Sequence, residues 1–308
     1  MTDFDPSLAA TDLRTVRDFI RYGVSRFNEA GLAYGHGTGT AFDEAVFLVL
    51  ETLHLPIDQL EPYLDARLTA AERSAVARII HARVATRKPA AYLTNRAYIQ
   101  GIPFYVDERV IVPRSYIGEL LFSDLFGGEG FALVEDTEAV GRVLDLCTGS
   151  GCLAILAAHI FPNAEIDAVD LSPPALEVAR RNVEESGFAD RIGLHQGDLF
   201  APLKGRRYDL IITNPPYVDA DAMAALPPEY RHEPEMALAS GEDGLDTVRR
   251  ILKEAPKYLT PDGALLCEFG TGREILEAEY PELDFFWLET AESFGEVFWV
   301  TRRQLEKM

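Results

Sequence analysis

Apolar residues recur at helical spacing through the first ninety positions, then regroup into short runs separated by turns. Leu13, Val16, Ile20 and Phe27 share one helical face, and Ala41, Phe42, Ala45, Val46 and Val49 share another. Thr69, with Glu72 three residues on, reads as a capping box that opens a helix carrying Val76, Ile79, Ile80 and Val84. Asp58 and Pro62 fall in connections. Residues 1–90 are expected to form a small helical domain. Residues 91–114 read as a hairpin linker, with strand character at Tyr92-Leu93, from Tyr98 to Val106 and from Val110 to Val112. Helical spacing returns from Ser115 to Phe126, and a glycine-rich acidic stretch up to Gly141 reads as a surface loop.

From Val143 the pattern alternates between strands and helices. Strands are predicted at Val143–Leu146, Glu165–Asp170, Ile192–His195, Tyr208–Thr213, Ala264–Phe269, Asp284–Glu289 and Glu296–Thr301. Helices are predicted at Leu153–Phe161, at Pro173–Gly187 with a proline start and glycine stop, and at Leu245–Leu259. This order implies an α/β domain over 115–308 with a mostly parallel sheet covered on both faces. The short connection before the last strand makes that strand antiparallel.

Ligands of such sheets bind beyond the carboxyl ends of the strands. The first strand there runs into Asp145-Leu146-Cys147-Thr148-Gly149-Ser150-Gly151, and the second ends in Asp170-Leu171. The third is followed by Asp198-Leu199, and the fourth ends in Asn214-Pro215-Pro216-Tyr217. The glycines let backbone approach a ligand closely. Gly149, Gly151, Ala154 and Asp170 also satisfy a dinucleotide fingerprint, so NAD is a competitor. Asp145 weighs against it, because a carboxylate at the strand end repels a pyrophosphate and attracts a sulfonium or ammonium group. S-adenosyl-L-methionine carries both cations; Asp170 suits its ribose hydroxyls and Asp198 its adenine amino group.

Asn214-Pro215-Pro216-Tyr217 suits a planar nitrogen acceptor, either a side-chain amide or an exocyclic base amine. The Asn214 side-chain carbonyl and the Pro215 backbone carbonyl can hold an NH₂ group, and the prolines fix their direction. Tyr217 can lie flat against the acceptor. Alignment supplies most of the rate, and neither a metal nor a strong base is implied.

Composition then narrows the choice. Hydrophobic residues make up 47% of the 308 and charged residues 26%, as in a globular protein, but the net charge is −21. Such a surface repels a phosphate backbone, so direct nucleic-acid binding is disfavoured and the amide preferred. Cys147, Cys152 and Cys267 are too few for a disulfide framework and lack the pairing of a zinc site. They read as reduced thiols of a cytoplasmic protein. The opening Met-Thr-Asp-Phe-Asp lacks a signal-peptide pattern, and no apolar run reaches membrane-spanning length.

Together the glycine turn, Asp170, Asp198 and Asn-Pro-Pro-Tyr resemble the protein-(glutamine-N5) methyltransferases, a class I methyltransferase family with a Rossmann-like sheet. The helical region, the hairpin and Val112-Pro113-Arg114 up to Glu119 match as well, so the resemblance covers nearly the whole chain. It implies S-adenosylmethionine as cofactor, with Asp145, Thr148, Gly149, Ser150, Gly151, Asp170, Leu171, Asp198, Leu199 and Asn214 around it. It also implies a glutamine held by Asn214, Pro215, Pro216 and Tyr217, with Asn214, Pro215 and Tyr217 acting in catalysis, and a helical domain that recognises the substrate. Cys147, where the release-factor enzymes usually have glycine, and the Glu229–Glu235 stretch followed by Leu238-Ala239-Ser240-Gly241 resemble the branch acting on the third large-subunit ribosomal protein. That implies a basic protein partner, which an acidic enzyme suits. Tyr116 stands where the family leads one to expect proline. The 218–244 connection is long enough to cover the acceptor; within it, His232 reads as structural or exposed.

Overall fold

The computed structural model describes residues 6–291 and 293–308; the Met1–Asp5 leader reading lies outside them. The chain divides into two compact units.

Among the described residues, one unit comprises 6–97, 106–108 and 226–232. Its helices include Val16–Ala30, Ala41–Thr52 and Ala70–Thr86. The Thr69–Glu72 capping box forms as expected. Phe19, Ile20, Phe27, Ala45, Leu48, Val76 and Ile80 fill the core, whereas Phe42, assigned to a core face from spacing, is exposed. Within this core Arg83 is wholly buried, with Nε 2.7 Å from Glu44 Oε1. Glu229 is buried too; it pairs with Arg87 at 2.7 Å and accepts from the Ala33 amide at 3.1 Å. His232 Nε2 lies 3.1 Å from the Thr86 carbonyl.

The other unit comprises 98–105, 109–225 and 233–308. Strands β1 (Arg96–Ile99) and β2 (Ile102–Tyr105) form the hairpin around Gln100-Gly101. Two strand predictions fail. Tyr92-Leu93 belongs to the helix Ala90–Thr94, where Pro89 starts a turn that local apolarity did not reveal. Val110–Val112 forms no strand; the Val112 amide donates to the Glu233 side chain at 2.8 Å instead. Helix also forms over only part of the 115–126 stretch, at Ile117–Leu121.

The main sheet holds β3 (Arg142–Leu146), β4 (Glu165–Asp170), β5 (Ile192–Gln196), β6 (Tyr208–Thr213), β7 (Leu259–Glu268), β8 (Phe286–Glu289) and β9 (Phe294–Thr301). Their order is β5-β4-β3-β6-β7-β9-β8, parallel except that β9 runs antiparallel to both neighbours. Leu144, Leu146, Leu210, Ile211 and Ile212 are all buried, so the central strands are covered on both faces. The helix Pro173–Ser186 has the predicted caps, Ser172 accepting from the Ala175 amide and Gly187 closing in the left-handed region. The chain leaves β3 in one direction for β4 and β5, then returns to its other side for β6 and β7. The crevice at that reversal, between the ends of β3 and β6, is where an open sheet accepts a ligand.

Candidate active site

At the end of β3 the backbone turns through positive φ at Cys147 (58°), Gly149 (54°) and Gly151 (79°). The two glycines serve different ends. A Cβ on Gly149 would meet nothing within 4 Å, whereas one on Gly151 would stand 3.2 Å from Ala179 Cβ. Gly149 thus keeps a surface open, and Gly151 lets two helices approach.

Two carboxylates hold this turn. Asp170 Oδ2 accepts from the Gly149 amide at 2.8 Å and its Oδ1 from the Ser172 amide at 2.8 Å. Burial raises its carboxyl above the ordinary range. Asp145 lies fully inside; its Oδ2 accepts from the Thr148 hydroxyl at 2.5 Å and the Ala154 amide at 3.1 Å. Its Oδ1 has no hydrogen-bond partner among the described residues. Loss of hydration pushes the Asp145 carboxyl up to about 7, against the pull of those two donors.

The turn borders a cleft of about 900 Å³, part of it open to solvent. Of the sequence-predicted residues, Gly149, Asp170, Leu171, Asp198, Leu199, Asn214 and Pro216 form its wall. Asp145, Thr148, Ser150, Gly151, Pro215 and Tyr217 do not line it. Ser150, for instance, is buried and gives its carbonyl to Asn182 Nδ2 at 2.8 Å. Sequence reasoning missed Arg250, whose Nη2 reaches Asp198 Oδ2 at 2.7 Å, and also Arg109 and Met236 in the wall. Nothing in their local sequence distinguishes these from surface residues.

The acceptor turn follows β6. Thr213 is buried, its hydroxyl donating to the Leu146 carbonyl at 2.9 Å, which ties the two turns together. Asn214 lines the cleft, and its carboxamide has no partner among the described residues. Tyr217 is held from three sides. Its carbonyl packs where a Gly244 Cβ would sit, at 2.3 Å, and its ring where a Gly270 Cβ would sit, at 2.8 Å. Its hydroxyl donates to Glu268 Oε1 at 3.0 Å. Burial, with the Glu268 carboxylate beside it, raises the phenol well above its usual range.

Glu268 was not singled out from sequence, although a lone acid ending an apolar strand is the signal that could have found it. Its Oε2 accepts from the Ser115 hydroxyl at 2.6 Å and the Tyr116 amide at 2.9 Å. Burial raises its carboxyl while the surrounding donors pull it down. Glu233, inside the stretch singled out from sequence, takes both guanidinium nitrogens of Arg114, at 2.6 and 2.8 Å. Tyr116 gains an explanation here, since a proline has no N–H to give Glu268.

The sheet order, the glycine turn at its switch point and the unpartnered carboxamide on the facing turn define a class I methyltransferase. A sequence model described as Methyltransferase small domain matches residues 131–226. The chain is 63% identical to a ribosomal protein uL3 glutamine methyltransferase of Bradyrhizobium diazoefficiens, over 96% of this chain and 93% of that one. It is 57% identical to a protein of the same name from Neisseria gonorrhoeae, over 96% and 97%. Among solved structures, the hMettl16 catalytic domain bound to the MAT2A 3′UTR hairpin 6 superposes with TM-score 0.50 at 16% identity, over 72% of this chain and 81% of that one, which is a likeness of fold. The chain belongs to the family of ribosomal protein uL3 glutamine methyltransferases.

Proposed function

We propose that this chain transfers a methyl group from S-adenosylmethionine to the side-chain nitrogen N5 of a glutamine in ribosomal protein uL3. The observation that carries the reading is the open carboxamide of Asn214 on the wall of the cleft that also presents Asp170 and Asp198. The residues fit the cofactor. Gly149 offers backbone without a Cβ in the way, Leu171 and Leu199 offer apolar walls, and Asp170 keeps lone pairs for ribose hydroxyls. Asp198 would accept from the adenine amino group while sharing its charge with Arg250. Thr148, Ser150 and Gly151 set the shape of the turn. Asp145, with its unpartnered oxygen, adds a carboxyl that becomes negative only as pH passes about 7.

When bound, the cofactor supplies an electrophilic methyl on a sulfonium. The glutamine amide is a weak nucleophile because its lone pair is delocalised. Asn214 Oδ1 and the Pro215 carbonyl accept its two N–H bonds and so aim the nitrogen. Pro215 and Pro216 hold those acceptors at fixed φ, and Tyr217 limits water beside the amide. No base is needed before attack, because the amide proton is acidified once the methyl is on nitrogen and then leaves to solvent.

The helical unit carries none of this chemistry, and we assign it to substrate recognition. Supporting this, residues 226–232, which follow the acceptor motif in sequence, belong to that unit through Glu229. We place the reaction in the cytoplasm, on the three free cysteines and the ribosomal partner. No helix among the described residues is long and apolar enough to cross a membrane. The test is incubation with methyl-labelled S-adenosylmethionine and large-subunit proteins from a strain lacking the enzyme. Label on one glutamine of uL3 is expected; label only on release factors or on RNA rejects the reading.

A further inference from the structure

We infer that Glu268 is the positioning residue of the acceptor site, anchoring the hydroxyl tip of the Tyr217 ring and joining it to the Ser115-Tyr116 segment. The inference rests on the function proposed above for its kinetic readout, and on geometry alone for its structural one. Glu268 is 1% exposed and terminates β7, directly beside β6, from whose end the acceptor turn departs. A buried carboxylate is costly unless its lone pairs are filled. Here three donors from two chain segments fill them: the Tyr217 hydroxyl on one oxygen, and the Ser115 hydroxyl and Tyr116 amide on the other.

The consequence for Tyr217 follows from its contacts. Gly270, at φ 75°, lets the ring lie close against the backbone, which fixes where the ring sits but leaves its tip to be fixed by the hydroxyl. Glu268 supplies that anchor. Because its other oxygen is held by Ser115 and Tyr116, the anchor cannot swing with the ring. Glu268 acts through Tyr217 and touches no reacting atom. Its contribution is to the orientation of the amide, an effect that falls on kcat as well as KM. Tyr116 has φ −63°, which proline also adopts, so Tyr116→Pro removes one donor from the carboxylate with little change of backbone.

The experiment compares Tyr217→Phe, Glu268→Gln, their double variant and Tyr116→Pro, all in the full chain. Initial rates are measured with undermethylated uL3, affinity for S-adenosylhomocysteine by calorimetry, and the Tyr217 ring by crystallography. Tyr217→Phe and Glu268→Gln are expected to lower kcat/KM about ten- to a hundredfold, with kcat affected and cofactor affinity unchanged within about twofold. The double variant is expected to be no worse than the worse single, because both remove one interaction. Tyr116→Pro is expected to cost about threefold. In Glu268→Gln the amide oxygen can keep Ser115 and Tyr116, so its N–H₂ faces the Tyr217 hydroxyl and can only donate to it; the bond reverses and the ring tip is expected to shift. Unchanged kinetics in Tyr217→Phe, losses that multiply in the double variant, or an unmoved ring in Glu268→Gln overturn the inference. Tyr217→Phe keeps the kinetic comparison available if Glu268→Gln fails to fold. Wild-type protein that binds S-adenosylhomocysteine but leaves uL3 unmodified rejects the proposed substrate instead, and the ring orientation then still decides the role of Glu268.

Discussion

The turns after β3 and after β6 lie side by side at the switch point of the sheet, yet they are made in opposite ways. The first is built from residues that free the backbone. It passes through positive φ at Cys147, Gly149 and Gly151, and two carboxylates hold it from within by accepting amide and hydroxyl bonds. The second is built from residues that stiffen the backbone. Its prolines fix φ, while the glycines that allow close packing lie elsewhere, at positions 244 and 270, against Tyr217. A cofactor that must be approached closely calls for missing side chains. An acceptor amide that must be aimed calls for carbonyls that do not move.

The largest expected effect separates the two turns by function. Asn214→Ala should lower kcat with uL3 by about two to three orders of magnitude, the usual cost of one oriented hydrogen-bonding group at a reacting centre. Affinity for S-adenosylhomocysteine should change less than tenfold. A variant with near wild-type kcat removes Asn214 from the chemistry.

A methyl group added at Gly149, in the first turn, and at Gly270, which packs against the second, sharpens the contrast. Gly149→Ala meets no atom of the protein, so it should fold with a penalty of about 1–2 kcal/mol for its left-handed φ. It should nevertheless weaken the cofactor about tenfold or more by filling the open space. Gly270→Ala meets the Tyr217 ring at 2.8 Å and also lies at positive φ. It should spare cofactor affinity, lower kcat/KM for uL3 and reduce the melting temperature more than Gly149→Ala does. Calorimetry and steady-state rates on the pair decide it, and an exchanged pattern of losses breaks the comparison.

The smallest effect concerns pH. Asp145 is held near 7 by burial, above its unfolded value, so the folded state retains this proton more strongly. Its ionisation therefore subtracts stability as pH rises from about 4 through about 7, and the deficit is complete above that. Asp145→Asn can keep both existing donors on its oxygen. It should match wild type in melting temperature near pH 4 and exceed it at pH 8. Cofactor affinity in wild type should rise a few-fold as pH passes 7, because the ionised carboxylate favours a cation, and should stay level in the variant. A parallel pH dependence in both proteins assigns the titration to another group.

Much of the fold was legible in the sequence because its signals are local. Burial on both faces makes Leu210-Ile211-Ile212 of β6 a continuous apolar run, and Ser172, Pro173 and Gly187 mark both ends of a helix. The acids and glycines at strand ends were legible for the same reason, since strand ends are where an open sheet puts its ligand. The apolar pair Tyr92-Leu93 was misread because two residues cannot distinguish a strand from a single helical turn.

By itself the sequence determined the alternating sheet, the glycine turn with the aspartates at the strand ends, and the prolines that stiffen the turn after β6. Each depends on residues a few positions apart, whose spacing sets period, turn or cap. Only the tertiary structure decided which of those residues face the cleft, putting Gly149 and Asn214 on its wall and leaving Asp145 and Tyr217 off it. It also brought Ser115, Tyr116, Tyr217 and Glu268 to one carboxylate across more than 150 positions of chain, the Ser115 hydroxyl and Glu268 being 153 apart in sequence. That meeting depends on how strands and turns pack, and no local pattern carries it. The buried charge of Glu268 is tolerable only because its donors arrive together.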